Sequence, residues 1–150
     1  MPHTFTISYF HCVFSTKERR ALIKEEYQPR IWSYIGGIAK QNGFKAMSVG
    51  GIENHIHILL SLPATMPLAK AVQLIKGGSS KWIHENLPDM RLFSWQQGYA
   101  AFSVGISDIE RTVAYISKQK EHHKRKDYRD EILQFLQKHN IVYDERDVFG

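Results

Sequence analysis

The sequence predicts an α+β fold: an antiparallel sheet with helices on one face, to which a C-terminal helix is added. Three observations support this fold class. Residues 4–14 form a long run of β-branched and aromatic residues. Two segments, beginning near Glu25 and at Pro67, carry apolar residues at helical spacing. Between them, the apolar runs at 44–50 and 55–62 have the pattern of two adjacent strands.

Length and composition limit the possible classes of protein. A chain of 150 residues is long enough for one domain with a real core, so residues 1–150 are predicted to be a single domain. The apolar and charged fractions, 43% and 23%, are typical of globular proteins. No run approaches the roughly 18 apolar residues of a membrane span. The single cysteine, Cys12, favours a reducing, cytoplasmic location. The net charge of +5 favours a polyanionic partner.

The predicted elements follow one another in a recognisable order. The first strand spans 4–14, with Phe5 and Ile7 on the same face as Tyr9. A helix is predicted from Glu25 to Asn42. The two strands at 44–50 and 55–62 are joined by a turn at 51–54 and followed by the second helix.

The C-terminal third is predicted to add one short strand and further helices. The segments FSW and YAAFSVGI supply short strand material. Ser107-Asp108-Ile109-Glu110 has the pattern of a capping box, which predicts a helix that runs to about His123. A charged segment, KRKDYRDE, leads to a last helix. The order β-α-β-β-α-β, followed by helices, is typical of a ferredoxin-like or RRM-like sheet.

Two histidines stand at the start of the third predicted strand. Side chains alternate along a strand, so His55 and His57 share one face while Ile56, Ile58 and Leu60 share the other. The aliphatic face is predicted to be the core side, and truncation of either histidine is therefore expected to leave no large cavity. The two imidazoles, about 7 Å apart at the backbone, can bind one metal ion. Alternatively, they are polar residues on a half-exposed strand.

The predicted helix at 109–123 has a second stripe beside its core face. Tyr115, Gln119 and His122 lie at i, i+4 and i+7 on this stripe. One interpretation is a boundary tyrosine with a wet hydroxyl, beside a solvated glutamine. The other is a nucleophilic hydroxyl and a carbonyl ligand that are delivered to the same place. The pattern alone leaves both interpretations open.

Three segments in this order carry a family resemblance: NHIHILL at 54–60, WQQGY at 95–99 and YISKQKEHH at 115–123. The chain resembles the single-domain tyrosine transposases of small bacterial insertion sequences, the IS200-like family of the HUH (His-hydrophobe-His) nuclease superfamily. The likeness extends over nearly the whole chain, and the combination of H-x-H with a downstream Y-x-x-x-Q helix is specific.

The resemblance implies a site and an activity. His55, His57 and Gln119 would bind a divalent ion, Mg²⁺ or Mn²⁺, and Tyr115 would be the nucleophile. The implied reaction cleaves and rejoins single-stranded DNA at element ends through a covalent 5′-phosphotyrosine. Implied partners are DNA with hairpin-forming ends and a second copy of the chain, in a homodimer with shared active sites.

Basic residues near these motifs are candidate phosphate contacts, although such runs are usually solvated surfaces. These candidates are Lys17, Arg19, Arg20, His122, His123, Lys124, Arg125 and Lys126. The remaining histidines, His11 among them, are interpreted as structural or solvated.

Other functions are compatible with the same pattern. A ferredoxin-like scaffold can serve as a non-catalytic nucleic-acid-binding module. The H-x-H pair could instead serve a metal-dependent hydrolase that uses water. A domesticated relative that processes chromosomal palindromes is closer to the main hypothesis. The sequence leaves open the hairpin sequence, the choice between Mg²⁺ and Mn²⁺, assembly of the site in cis or in trans, and whether the element is mobile.

Overall fold

The computed structural model describes residues 3–149 and has the predicted α+β architecture. The strands are β1 (Tyr9–Ser15), β2 (Lys45–Ile52), β3 (His55–Ser61) and β4 (Ala100–Ser103). They form one sheet in the order β2-β3-β1-β4, with antiparallel neighbours throughout. The helices are α1 (Gln28–Gln41), α2 (Leu68–Asn86), α3 (Ile109–Ser117), α4 (Gln119–His122), α5 (Tyr128–Lys138) and α6 (Glu145–Phe149). Among the described residues, no helix combines the length and hydrophobicity that a membrane crossing needs.

The main core lies between one face of the sheet and helices α1 and α2. Alternation along β1 and β3 directs Cys12 and Phe14, together with Ile56 and Ile58, into this layer. The helices contribute their apolar stripes, as the 3.6-residue spacing predicted. These buried helix residues are Ile31, Ile35, Ile38, Ala39, Ala71, Val72, Ile75 and Ile83.

The second face of the sheet is covered as well, by the C-terminal helices. Val13 of β1 and Phe102 of β4 pack against one side of α5 in a smaller apolar cluster. The α5 members of this cluster are Tyr128, Ile132 and Leu136. The face that carries the histidine pair is therefore interior, and His55 and His57 are both 0% exposed. The premise that only the aliphatic face of this strand is a core side was wrong, because a second layer lies over the histidines.

The first strand is shorter than the sequence predicted. It begins at Tyr9, which pairs with Ser61 at the end of β3. Residues 3–8, the described part of the chain before it, are not part of a strand, and Phe5 and Ile7 are 79% and 71% exposed. High β-propensity produces a strand only where another strand supplies hydrogen bonds, so the prediction of a strand over 4–14 was wrong at its N-terminal half.

The predicted helix at 109–123 also differs in detail. A 3₁₀ turn (Ile106–Asp108) precedes α3, and no side chain caps the helix, so the predicted capping box does not form. Thr112 instead donates its hydroxyl hydrogen to the Asp108 carbonyl oxygen at 2.9 Å. The helix is interrupted at Lys118, whose φ and ψ of −105° and 21° are not helical. Two shorter helices, α3 and α4, therefore replace the one that was predicted.

Candidate active site

The two histidines of the H-x-H pair stand beside each other under the C-terminal helices. The central position of β3, between β2 and β1, fixes their backbone on both sides. His55 is further held by Asn54, whose side-chain oxygen lies 2.8 Å from His55 Nδ1. That contact turns His55 Nε2 away from the strand end and into the space between sheet and helices.

Helices α3 and α4 bring the predicted tyrosine and glutamine to the histidines. Gln119 is buried, and its Oε1 lies 3.2 Å from His55 Nε2. Tyr115 lies one turn earlier, with its ring centroid 5.7 Å from that of His57. Its hydroxyl lies 3.1 Å from His122 Nε2. The four residues that the resemblance implied are therefore gathered in one place within one chain.

A carboxylate that was not among the predicted site residues lies at the centre of this group. Glu131 of α5 is 1% exposed. Its Oε1 lies 2.9 Å from His57 Nε2, 3.3 Å from His55 Nε2 and 3.2 Å from His123 Nε2. Its Oε2 accepts a hydrogen bond from the Tyr115 hydroxyl. Glu131 therefore contacts both the predicted nucleophile and the predicted metal ligands.

The electrostatics follow from this arrangement. Burial by itself would raise the pKa of Glu131, but hydrogen bonds from His123, His55 and His57 outweigh it and hold that pKa well below its usual range. Burial raises the pKa of Tyr115, and the charge of Glu131 raises it further. Without a cation, the site thus contains an ionised carboxylate beside a firmly protonated phenol.

A third buried histidine, His11 of β1, lies behind His57. The distance between His11 Nε2 and His57 Nδ1 is 2.7 Å. Burial lowers the pKa of His57 to about 4 and that of His11 to about 3, so both are neutral near pH 7. A neutral His57 that donates its Nε2–H to Glu131 accepts at Nδ1, and His11 Nε2–H is then the donor. His11 therefore fixes the ring orientation of His57.

The donor set suits a divalent metal ion. His55, His57, His123 and Glu131, hereafter the histidine–glutamate cluster, each offer one ligand atom, and these four atoms lie within 4.8 Å of one another. Three imidazole nitrogens with one carboxylate oxygen are typical ligands of transition-metal ions. The cluster can therefore hold a metal ion, and the Gln119 amide oxygen lies beside it.

The candidate phosphate contacts near the end of β1 lie on the surface, and two of the three have partners of their own. Arg20 forms a 2.7 Å ion pair with Glu18. Arg19 donates to the Phe149 carbonyl oxygen at 3.3 Å and lies over the Phe149 ring. Lys17 is exposed. Nothing in these contacts connects the three residues with the histidine–glutamate cluster.

The candidates after α3 lie much closer to Tyr115. A cleft of about 570 Å³ is lined by Tyr115, Lys118, Glu121, His122, Lys124 and Arg125. Lys124 and Arg125 are exposed at this cleft, whereas Lys126 donates to Gln134 instead. His123 points inward to Glu131 rather than outward. The basic mouth of the site is therefore formed by Lys118, Lys124 and Arg125, of which Lys118 was not predicted.

A signal for Glu131 was present in the sequence. The apolar face of α5 is formed by Tyr128, Ile132 and Leu136, which recur at helical spacing. Glu131 lies on this same face, where an unpaired carboxylate would be costly. The position of Glu131 on an otherwise apolar stripe therefore indicated that its carboxylate has buried polar partners. In the structure these partners are His55, His57 and His123.

Comparison with known proteins extends these findings. The family model described as "Transposase IS200 like" matches residues 4–119. The transposase for insertion sequence element IS200 of Salmonella typhimurium is 26% identical over 129 residues, covering 83% of this chain and 84% of that protein. The ISDra2 transposase TnpA of Deinococcus radiodurans is 24% identical over 115 residues, which cover 73% of this chain and 82% of that protein. The fold resembles that of the REP-associated tyrosine transposase bound to a REP hairpin, with a TM-score of 0.59 and 17% identity over 81% of this chain and 72% of that one.

Proposed function

Because the chain belongs to the IS200-like transposase family, we propose that it cleaves and rejoins single-stranded DNA through a covalent link to Tyr115. The observation that supports this most directly is the position of the Tyr115 hydroxyl, which contacts His122 and Glu131 beside the H-x-H pair. Residues 1–150 are proposed to form one transposase domain.

In the proposed reaction, the Tyr115 oxygen attacks a backbone phosphorus. A bond forms between Tyr115 Oη and phosphorus, the bond from phosphorus to the 3′ oxygen breaks, and the electron pair leaves with that oxygen. The phenol proton passes to His122 Nε2, which lies 3.1 Å from the hydroxyl oxygen, since the lowered pKa of Glu131 makes its carboxylate a poor proton acceptor. The leaving 3′ oxygen takes a proton from solvent. Attack by a free 3′ hydroxyl on the phosphotyrosine reverses these steps and rejoins a strand without an external energy source.

His55, His57 and Gln119 are proposed to hold the divalent ion, Mn²⁺ or Mg²⁺. When bound, such an ion supplies positive charge that stabilises the phosphoryl oxygens and the phenolate. Support comes from the orientation of the donors: His55 Nε2 and Gln119 Oε1 face each other at 3.2 Å, and His57 Nε2 points to the same centre at Glu131. His11 holds the ring of His57 in that orientation.

The proposed substrate is single-stranded DNA with hairpin-forming ends, recognised by shape as well as charge. An unpaired strand is flexible, so its phosphate can reach a phenol held on a helix more easily than a duplex phosphate can. The basic mouth of the site would hold neighbouring phosphates. The structural neighbour bound to a REP hairpin is consistent with this substrate class. The proposed location is the cytoplasm, which the single cysteine of the sequence favours.

The site residues can come from one chain (in cis) or from two chains of a dimer (in trans). Tyr115 and both H-x-H histidines meet within a single chain. We therefore propose assembly in cis. A homodimer, as the resemblance implies, would then carry two separate sites rather than two shared ones.

A covalent adduct assay tests the function. The purified protein is incubated with Mn²⁺ and labelled single strands taken from the DNA that flanks the coding region, and the products are separated under denaturing conditions. We expect a labelled protein band that Tyr115→Phe abolishes and Tyr99→Phe, a change at a partly exposed tyrosine, leaves unchanged. Cleavage without an adduct would favour a metal-dependent hydrolase. Binding without cleavage would favour a non-catalytic module.

A further inference from the structure

The two oxygens of Glu131 face different partners. Oε1 lies within 3.3 Å of the Nε2 atoms of His55, His57 and His123. Oε2 accepts from the Tyr115 hydroxyl and lies 3.4 Å from Gln119 Nε2. One carboxylate thus has an oxygen on the side of the metal donors and an oxygen on the side of the nucleophile.

The position of Glu131 is fixed by α5, and this helix lies beyond the matched family region. The family match ends at residue 119, while His123 and Glu131 follow it. Asp127 caps α5 by accepting from the Asp130 amide at 2.9 Å. The neighbouring Tyr128 and Ile132 anchor the helix on the sheet. The carboxylate is therefore presented by a rigid element of this chain.

The separations of Glu131 Oε1 from the three imidazole nitrogens are close to those within a ligand shell. Four ligands around an ion at about 2.0–2.2 Å are separated from one another by roughly 3.3–3.6 Å in a tetrahedral arrangement. The separations of Glu131 Oε1 from three imidazole nitrogens are 2.9, 3.2 and 3.3 Å. Small outward movements of these side chains would therefore open a site of the right size.

We propose that Glu131 is a metal ligand through Oε1, together with His55, His57 and His123, and that it positions Tyr115 through Oε2. The second half of this inference rests on the proposed function. This four-ligand shell keeps the two H-x-H histidines and has Glu131 and His123 in place of Gln119, whose Oε1 lies beside it. Such a set favours a transition-metal ion, such as Mn²⁺, Co²⁺ or Zn²⁺, over Mg²⁺, which prefers oxygen ligands and retained water.

Titration of the metal-free protein with Co²⁺ tests the ligand role. Tetrahedral Co²⁺ absorbs visible light far more strongly than six-coordinate Co²⁺, so the spectrum reports the ligand shell directly. We expect Glu131→Gln to weaken Co²⁺ binding by at least about tenfold and to change the band. The matched control, Glu121→Gln, alters an exposed glutamate on α4. It should change neither the Co²⁺ affinity nor the absorption band. Glu131→Asp, which keeps the charge, should recover part of the affinity.

Two further measurements make the outcome decisive. X-ray absorption of the wild-type protein loaded with Zn²⁺ should show three imidazoles and one carboxylate oxygen, and this result does not depend on how a variant folds. A folded Glu131→Gln variant with wild-type affinity and spectrum, or a shell with only two imidazoles, would overturn the ligand role. Adduct formation by Glu131→Gln at saturating Mn²⁺ reports the positioning role separately, and a wild-type rate would overturn it. Absence of the adduct in the wild-type protein would instead contradict the proposed function.

Discussion

Gly50 of β2 lies directly beneath Ile116 of α3, with no room for a side chain between them. A Cβ on Gly50 would overlap the Ile116 carbonyl oxygen and lie 3.0 Å from Ile116 Cγ2. Gly50 is also the β2 partner of His57, so the helix approaches the sheet beside the H-x-H pair. The absence of a side chain at Gly50 therefore sets the height of Tyr115 above the histidines.

Gly50→Ala is expected to lift the C-terminal end of α3. Because the obstructing atom belongs to the backbone, the helix must move, at a cost of about 1–3 kcal/mol in the free energy of unfolding. We also expect adduct formation to slow by more than about tenfold, since small misplacements of reacting groups are costly. Urea denaturation and the adduct assay measure the two effects. In the control Gly37→Ala, whose Cβ meets no atom within 4 Å, stability should rise by about 0.5–1 kcal/mol. If Gly50→Ala and Gly37→Ala had the same stability and the same rate of adduct formation, the close approach of α3 to β2 at Gly50 would be contradicted.

His57→Ala is expected to destabilise the metal-free protein, because His57 is fully buried and bonded on both sides of its ring. Removal leaves a cavity, takes a hydrogen-bond donor from Glu131 and takes the acceptor of the His11 Nε2–H group. The expected loss is on the order of 2–4 kcal/mol in the free energy of unfolding. Denaturation in the presence of a chelator measures it. The exposed His3 serves as control, and His3→Ala should change stability by less than about 0.5 kcal/mol. Similar values for the two variants would indicate that the C-terminal layer does not cover the histidines.

Mixing two inactive variants tests assembly in cis. Tyr115→Phe lacks the proposed nucleophile and His57→Ala lacks a proposed metal ligand, so each variant is expected to be inactive. If each chain builds its own site, a mixture of the two should form no more adduct than either variant alone. Exchange of subunits is verified by mixing differently tagged wild-type chains under the same conditions. Recovery of adduct in the variant mixture would show that the tyrosine helix and the histidine pair come from different chains.

Reversing the charges of Lys124 and Arg125 is expected to weaken DNA binding. Both residues are exposed at the cleft that reaches Tyr115. For a double change to glutamate, we expect the affinity for a hairpin-containing single strand to fall by more than about tenfold. The slope of log affinity against log salt should decrease by about 0.7 for each phosphate that the variant no longer neutralises. Fluorescence anisotropy at several salt concentrations measures both. Lys45, whose strand partner Ser61 lies at the far end of β3 from His55, is the control position. If reversing the charge at Lys45 weakened DNA binding equally, the affinity would depend only on the overall charge of the protein and not on the cleft beside Tyr115.

Cys12 is expected to be chemically inert in the folded protein. Burial raises the pKa of its thiol to about 12, and the residue is 0% exposed. Since the thiolate is the reactive form, labelling at pH 8 should be about a thousandfold slower than for an ordinary cysteine. A thiol reagent added before and after denaturation measures the difference. Equal rates in the two states would place Cys12 outside the core.

Much of this architecture could be predicted because it depends on local patterns. Alternation separated His55 and His57 from Ile56 and Ile58, and helical spacing placed Tyr115 and Gln119 on one stripe. Those relationships are fixed within one strand or one helix. The structure therefore preserves them even where the helix is interrupted at Lys118.

The errors arose where a neighbouring element decides the outcome. Phe5 and Ile7 have the residue types of a strand but no strand beside them. His57 lies opposite the aliphatic side of its strand, yet α5 covers it, and no pattern within β3 reveals that cover. Glu131 becomes central only because α5 packs across the sheet. Each of these features depends on contacts between segments that are distant in sequence.

The order of the site residues along the chain has a consequence for synthesis on the ribosome. Protein chains emerge N-terminus first and begin to fold as they emerge. The strand with His55 and His57 appears first, Tyr115 follows after the fourth strand, and Glu131 comes later still. A nascent chain can thus form its sheet while the carboxylate that joins nucleophile and histidines is still within the ribosome. On the proposed function, the catalytic centre is therefore completed only after the scaffold that aligns it, and a partly made chain would lack the carboxylate that contacts the nucleophile.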